Sequence, residues 1–128
     1  MELKESGENY LKTILILHNR TGYVRSIDIA NEFGYSKASI SRAMHILSEN
    51  GYIDIRPDGE IVLTETGKAR AEEVYEKHSL ISKFLHEVLG VTKEKSDVDA
   101  CRMEHVISKE SFDKLNAFVD DYCNSKTN

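Results

Sequence analysis

The chain has 128 residues, 40% of them hydrophobic and 30% charged, which suits one compact domain or two small ones sharing a connecting element. No apolar run approaches the about 18 residues that span a bilayer, and the opening MELKESGENY lacks the apolar core of a secretory signal, so a cytoplasmic protein with no membrane partner is expected. Two cysteines, Cys101 and Cys123, make no disulfide framework, and a net charge of −5 argues against indiscriminate nucleic-acid binding but leaves room for a local basic reading surface.

The first predicted helix runs from about Glu8 to Asn19, with Leu11, Ile14 and Leu15 at helical spacing and Ser6 as a cap candidate. A second starts at a cap candidate, Ser26, and stops at Gly34. The third opens at Ser36 and ends at Asn50-Gly51, and its apolar stripe is Ile40, Ala43, Met44 and Leu47. Helices two and three are joined by a short turn holding Gly34 and Tyr35, which is helix-turn-helix spacing. Two short alternating runs follow, Tyr52–Arg56 and Glu60–Leu63, around the turn Pro57-Asp58-Gly59. A hairpin directly after a helix-turn-helix makes a wing.

From about Glu65 to Leu89 the pattern is one long helix, with Val74, Ile81, Leu85 and Val88 on a stripe that also carries His78. A helix capped by Ser96 would carry Cys101, and one capped by Ser108 would carry Phe112, Leu115, Val119 and Tyr122 in a seven-residue rhythm. So short a chain cannot cover both stripes alone, and a second copy is expected to supply the missing helix face, with those last four residues in a homodimer interface. Residues 71–128 also hold most of the excess acid, 12 acidic against 8 basic side chains. The fold class is therefore mainly α, an N-terminal winged helix-turn-helix (residues 1–70) followed by an α-helical domain (residues 71–128).

Two surfaces carry chemistry. The polar face of the third helix presents Ser36, Lys37, Ala38, Ser39, Ser41 and Arg42. The major groove of double-stranded DNA admits a helix, and residues near its N-terminus reach base edges. Lys37 and Arg42 suit phosphate or guanine, the serines suit short hydrogen bonds, and Ala38 suits a thymine methyl. Arg25 and Arg56 would flank the groove on phosphates. In the second half, Cys101, Glu104 and His105 fall at i, i+3 and i+4 on one helix face. A thiolate, a carboxylate and an imidazole are each metal donors, and Asp97 lies on the same side. The plainer alternative is a buried cysteine beside a surface Glu–His pair.

The run from ENYLKTIL through LTETGKARA and YEKHSLISKFL to ACRMEHVIS resembles the diphtheria-toxin-repressor family of metal-dependent transcriptional regulators over essentially the whole chain. That resemblance implies a dimeric, metal-activated repressor with a winged helix and a dimerisation and metal-binding domain, not an enzyme. Some members add a C-terminal SH3-like domain, for which this chain would end too early. By the same resemblance Cys101, Glu104 and His105 match one metal site, whose remaining donor on the first helix is Asn9. His78 matches a ligand of a neighbouring site, with Asp97 where the family has histidine and Ser82 where it has an acid; Lys12 stands where the manganese branch has an acid. The donor set is borderline-soft, which favours iron(II) and admits cobalt, nickel, zinc or manganese(II). The expected partner is a palindromic DNA operator read by two subunits. The rival is a metal-independent winged-helix regulator whose metal sites have degraded at Asn9, Lys12 and Ser82.

Overall fold

The computed structural model describes residues 3–127. Residues up to Glu73 form one compact unit and residues from Val74 onward a second.

In the first unit, helices α1 (Glu5–Thr21), α2 (Ser26–Phe33) and α3 (Lys37–Glu49) precede strands β1 (Ile53–Ile55) and β2 (Ile61–Leu63), and helix α4 (Glu65–Lys83) begins there. Burial follows the apolar spacing. Leu11, Ile14 and Leu15 of α1 meet Ile40, Met44 and Leu47 of α3, with Val24, Ile29, Ile53 and Ile61 closing the same core. Each such aliphatic side chain contributes about 1.5–3 kcal/mol on burial. The α2–α3 turn forms where it is expected, because Gly34 adopts φ 71°, a left-handed conformation that glycine reaches at little cost. Ser36 then caps α3 by accepting a hydrogen bond from the Ser39 backbone N–H. β1 and β2 pair antiparallel in the register Ile53–Leu63, Asp54–Val62, Ile55–Ile61.

Three contacts join α4 to this unit. Thr64 caps it, its hydroxyl accepting from the Gly67 N–H at 3.1 Å and donating to the Gly51 carbonyl at 2.7 Å. Gly67 packs directly on the Tyr52 carbonyl, and any Cβ there would collide with that backbone oxygen. Further along, the Arg70 guanidinium reaches Glu8 on α1 through two nitrogens, at 2.8 and 2.9 Å.

In the second unit α4 ends at Lys83 and one π-helical turn, Phe84–Val88, replaces the last turns of the expected long helix. Gly90, at φ 78°, turns the chain into α5 (Lys93–Met103), and α6 (Lys109–Thr127) follows. Ser108 caps α6, accepting from the Ser111 N–H at 3.1 Å. Two other expected caps differ. Lys4, not Ser6, precedes α1, and Thr92, not Ser96, caps α5. Ser96 is instead fully buried and donates to the Val91 carbonyl. Val119, expected at an interface, is 1% exposed within its own chain, whereas Phe118 beside it is 52% exposed.

Candidate metal centre and DNA-reading surface

α5 stops at Met103, so Cys101 sits in its last turn, Glu104 is its C-terminal cap, and His105 lies in the turn that leaves it. The uninterrupted helix face expected for the three residues is therefore absent. Their donors converge all the same: the thiol sulfur, a carboxylate oxygen and an imidazole nitrogen all lie within 4.8 Å of one another. Donors about 2.0–2.3 Å from a common ion must approach to within about 4 Å, so small side-chain rotations complete the set.

Glu104 is the centre of this arrangement. Its side chain is 0% exposed, and carboxylates are seldom buried without compensation. His78, on α4, donates from Nδ1 to Glu104 Oε2 at 2.9 Å, and His105 Nε2 lies 3.4 Å from Oε1. A buried carboxyl group beside two imidazoles and a thiol offers donor types that suit a divalent cation. The link from His78 to Glu104 is not legible in the sequence, where the resemblance places His78 at a neighbouring site.

Asp97 has other partners. Its Oδ1 accepts from the Ser82 hydroxyl at 2.6 Å and from the Lys93 ammonium at 3.1 Å. The Ser82 hydrogen bond, then those of Lys93 with its charge, hold this carboxyl below the usual aspartate range, and His78 adds a smaller electrostatic contribution. Asn9 is on α1, in the first unit.

On the first unit, Ser36, Lys37, Ala38, Ser39, Ser41 and Arg42 are all exposed around the start of α3. The Ser36 hydroxyl donates to Ser39 Oγ at 2.9 Å, and Arg42 reaches the same Oγ at 3.4 Å. Arg42 is thus loosely held and available. Arg56 is exposed on the wing, with a long ion pair to Glu60 at 3.7 Å. Arg25 is exposed too, but its guanidinium donates to the Asp58 backbone carbonyl at the wing tip.

Residues 2–61 match the family described as iron dependent repressor, N-terminal DNA binding domain. Residues 64–125 match the iron dependent repressor metal binding and dimerisation domain. The chain belongs to the diphtheria-toxin-repressor family. It is 32% identical to the transcriptional regulator MntR of Salmonella typhimurium over 93% of this chain and 75% of that one. It is 30% identical to the diphtheria toxin repressor of Corynebacterium efficiens, over 97% of this chain and 54% of that one. Its fold superposes on the manganese regulator SloR with a TM-score of 0.79 at 27% identity, covering 94% of this chain and 55% of that one. The chain thus spans about half the length of the solved structure it resembles. Members of this family are metal-dependent transcriptional regulators rather than enzymes, and the Cys101–Glu104–His105 cluster falls inside the domain named for metal binding. Among the described residues no helix is long and apolar enough to cross a membrane.

Proposed function

We propose that this protein is a cytoplasmic, metal-responsive repressor that binds a palindromic operator as a homodimer and holds its ion at Cys101, Glu104 and His105. The observation that carries the reading is the buried Glu104 carboxylate, with a thiol and an imidazole inside 4.8 Å, in the same chain as an exposed recognition helix. Iron(II) is the favoured ion, because one thiolate and one imidazole beside a carboxylate make a borderline-soft set. A bound cation would add positive charge beside the buried Glu104 carboxyl group and the Cys101 sulfur. His78 keeps the Glu104 carboxylate oriented through its hydrogen bond.

Asn9 is proposed as the further donor on the strength of the family resemblance. A second ion at His78 and Asp97 is a minor part of the reading. It rests on the family resemblance, and the stoichiometry of metal uptake decides it. The half-exposed α6 face of Phe112, Leu115 and Tyr122, with Phe118, is the proposed dimer surface, and Val119 supports it from beneath.

DNA reading falls to Ser36, Lys37, Ala38, Ser39, Ser41 and Arg42. Arg56 is the wing's phosphate contact, and Arg25 serves there too. Metal control then needs only that the ion bind the operator-competent arrangement more tightly than the other. Coupling of about 1–3 kcal/mol is typical, equivalent to roughly 5–150-fold in operator affinity. The test is to present apo-protein with DNA from its own upstream region while adding iron(II), cobalt, nickel, zinc or manganese(II) in turn. Tightening with iron(II) ahead of manganese(II) is expected. Equal binding in a chelator and in every metal would establish the metal-independent alternative instead.

A further inference from the structure

The wing of this protein is anchored at its base, where Ile53 and Ile61 enter the core, but its tip residues Arg56, Pro57 and Asp58 are exposed beyond that core. Its strands are three residues each, Ile53–Ile55 and Ile61–Leu63, and an isolated two-stranded hairpin is marginal in water. Within the tip, Arg56 N–H donates to the Glu60 carbonyl at 2.9 Å and Gly59 N–H to the Arg56 carbonyl at 2.8 Å. These bonds close the turn but do not fix its direction.

The direction comes from the segment between α1 and α2. The Tyr23 hydroxyl donates to Asp58 Oδ2 at 2.6 Å, across 35 positions of sequence. The Arg25 guanidinium donates to the Asp58 carbonyl and packs against Gly59, where a Cβ would come within 3.2 Å of Nη2. Gly59, at φ 93°, is the residue that lets the arginine approach. Ile61 N–H donates to the Val24 carbonyl at 2.8 Å, so β2 is stitched to the same segment. Asp58 is fully used: its second oxygen accepts from the Glu60 N–H at 3.0 Å. The hydrogen bond to Asp58 raises the Tyr23 hydroxyl above the usual tyrosine range and, from the other side, lowers the Asp58 carboxyl.

The same segment starts the helix-turn-helix, because the Arg25 backbone N–H donates to Asp28 in the first turn of α2 at 2.9 Å. Wing tip and helix-turn-helix are thereby tied through Tyr23 and Arg25. We propose that Tyr23 is a positioning residue for DNA binding, and that Arg25, besides its own phosphate contact, shares with it a clamp on the wing tip through Asp58, so that Arg56 is presented to a phosphate. Tyr23 itself touches no base. An acid at the tip of a DNA-binding wing, which would otherwise repel phosphate, is accounted for as the anchor of the clamp. The inference rests on the wing reading of Arg56 and extends it.

A double-mutant cycle on operator binding, with Tyr23→Phe and Arg56→Ala in the metal-loaded full chain, tests it. Arg56→Ala should weaken binding and reduce the slope of log affinity against log salt by about one phosphate contact. Tyr23→Phe, which keeps the ring and loses only the hydroxyl, should weaken binding about three- to tenfold with a similar fall in slope. In the Arg56→Ala background it should do nothing further. Metal affinity and thermal midpoint should stay near wild type. Wild-type binding and slope in Tyr23→Phe would overturn the clamp while leaving the wing reading intact. No effect of Arg56→Ala would overturn the wing reading, and the clamp with it. A Tyr23→Phe loss that persists undiminished without Arg56 would also overturn it, because Tyr23 would then act by another route.

Discussion

Glu104→Gln separates the metal centre from the fold that carries it. The amide keeps the shape of the side chain and one oxygen to accept the 2.9 Å hydrogen bond from His78, so the metal-free protein should unfold within about 1 kcal/mol of wild type. What is lost is the buried charge and an anionic donor. Supporting residues around a metal site typically change affinity 10–100-fold, so a direct ligand should cost at least the upper figure. With free ion at 100 times its dissociation constant, wild type gains about 2.7 kcal/mol of stability. A variant that binds 100-fold more weakly gains only about 0.4 kcal/mol at the same concentration. For a protein of this size the contrast is an upward shift of about 10 °C in wild type against one or two degrees in the variant. Thermal unfolding by circular dichroism, with and without iron(II) under anaerobic conditions, reads both numbers. A wild-type metal shift in Glu104→Gln would remove Glu104 from the site.

Arg42→Ala should cost about 1–3 kcal/mol in operator affinity if the guanidinium reads guanine, leaving metal uptake unchanged; gel-shift titration checks both halves. Asn9→Ala should reduce metal-stimulated operator binding more than basal, salt-sensitive binding, and an unaltered metal response would remove Asn9 from the ligand set. Gly67→Ala should destabilise the first unit by about 1–3 kcal/mol, because the new methyl must displace the Tyr52 carbonyl; urea denaturation measures it. The Tyr23–Asp58 bond should be indifferent to pH between about 6 and 8. The Asp58 carboxyl is depressed by that bond, so its contribution is present above the ordinary aspartate range and lost only as pH falls through the lowered value. The effect of Tyr23→Phe on operator affinity should accordingly be the same at both ends of that window.

Elements whose signals are local were legible in the sequence. The α2–α3 turn follows from Gly34, the α3 cap from Ser36 and the wing from Pro57-Asp58-Gly59, each set within a few residues. Choices among equivalent local options were not. Thr92 and Ser96 are both capping residues, and α5 takes the earlier one, which gains a turn of helix and buries Ser96. The apolar stripe of α4 continues past Lys83 without a break, so nothing in its spacing marks the π-helical turn at Phe84–Val88. The donor cluster was legible by residue type, but its geometry was not, since the helix ends before Glu104. Pairings at long range, Tyr23 with Asp58 and His78 with Glu104, leave no periodic trace, because hydrogen bonding across 35 or 26 positions depends on the folded chain.

Linkage gives the most direct test of the claim that the ion at Cys101, Glu104 and His105 controls DNA binding. If metal tightens operator binding by some factor, operator must tighten metal binding by the same factor, roughly 5–150-fold. Metal affinity should therefore be measured by competition with a chromophoric chelator, with and without saturating operator DNA at constant salt. A tighter ion is expected in the complex, by the factor found for DNA, in wild type but not in Cys101→Ala. The same metal affinity with and without operator would contradict it.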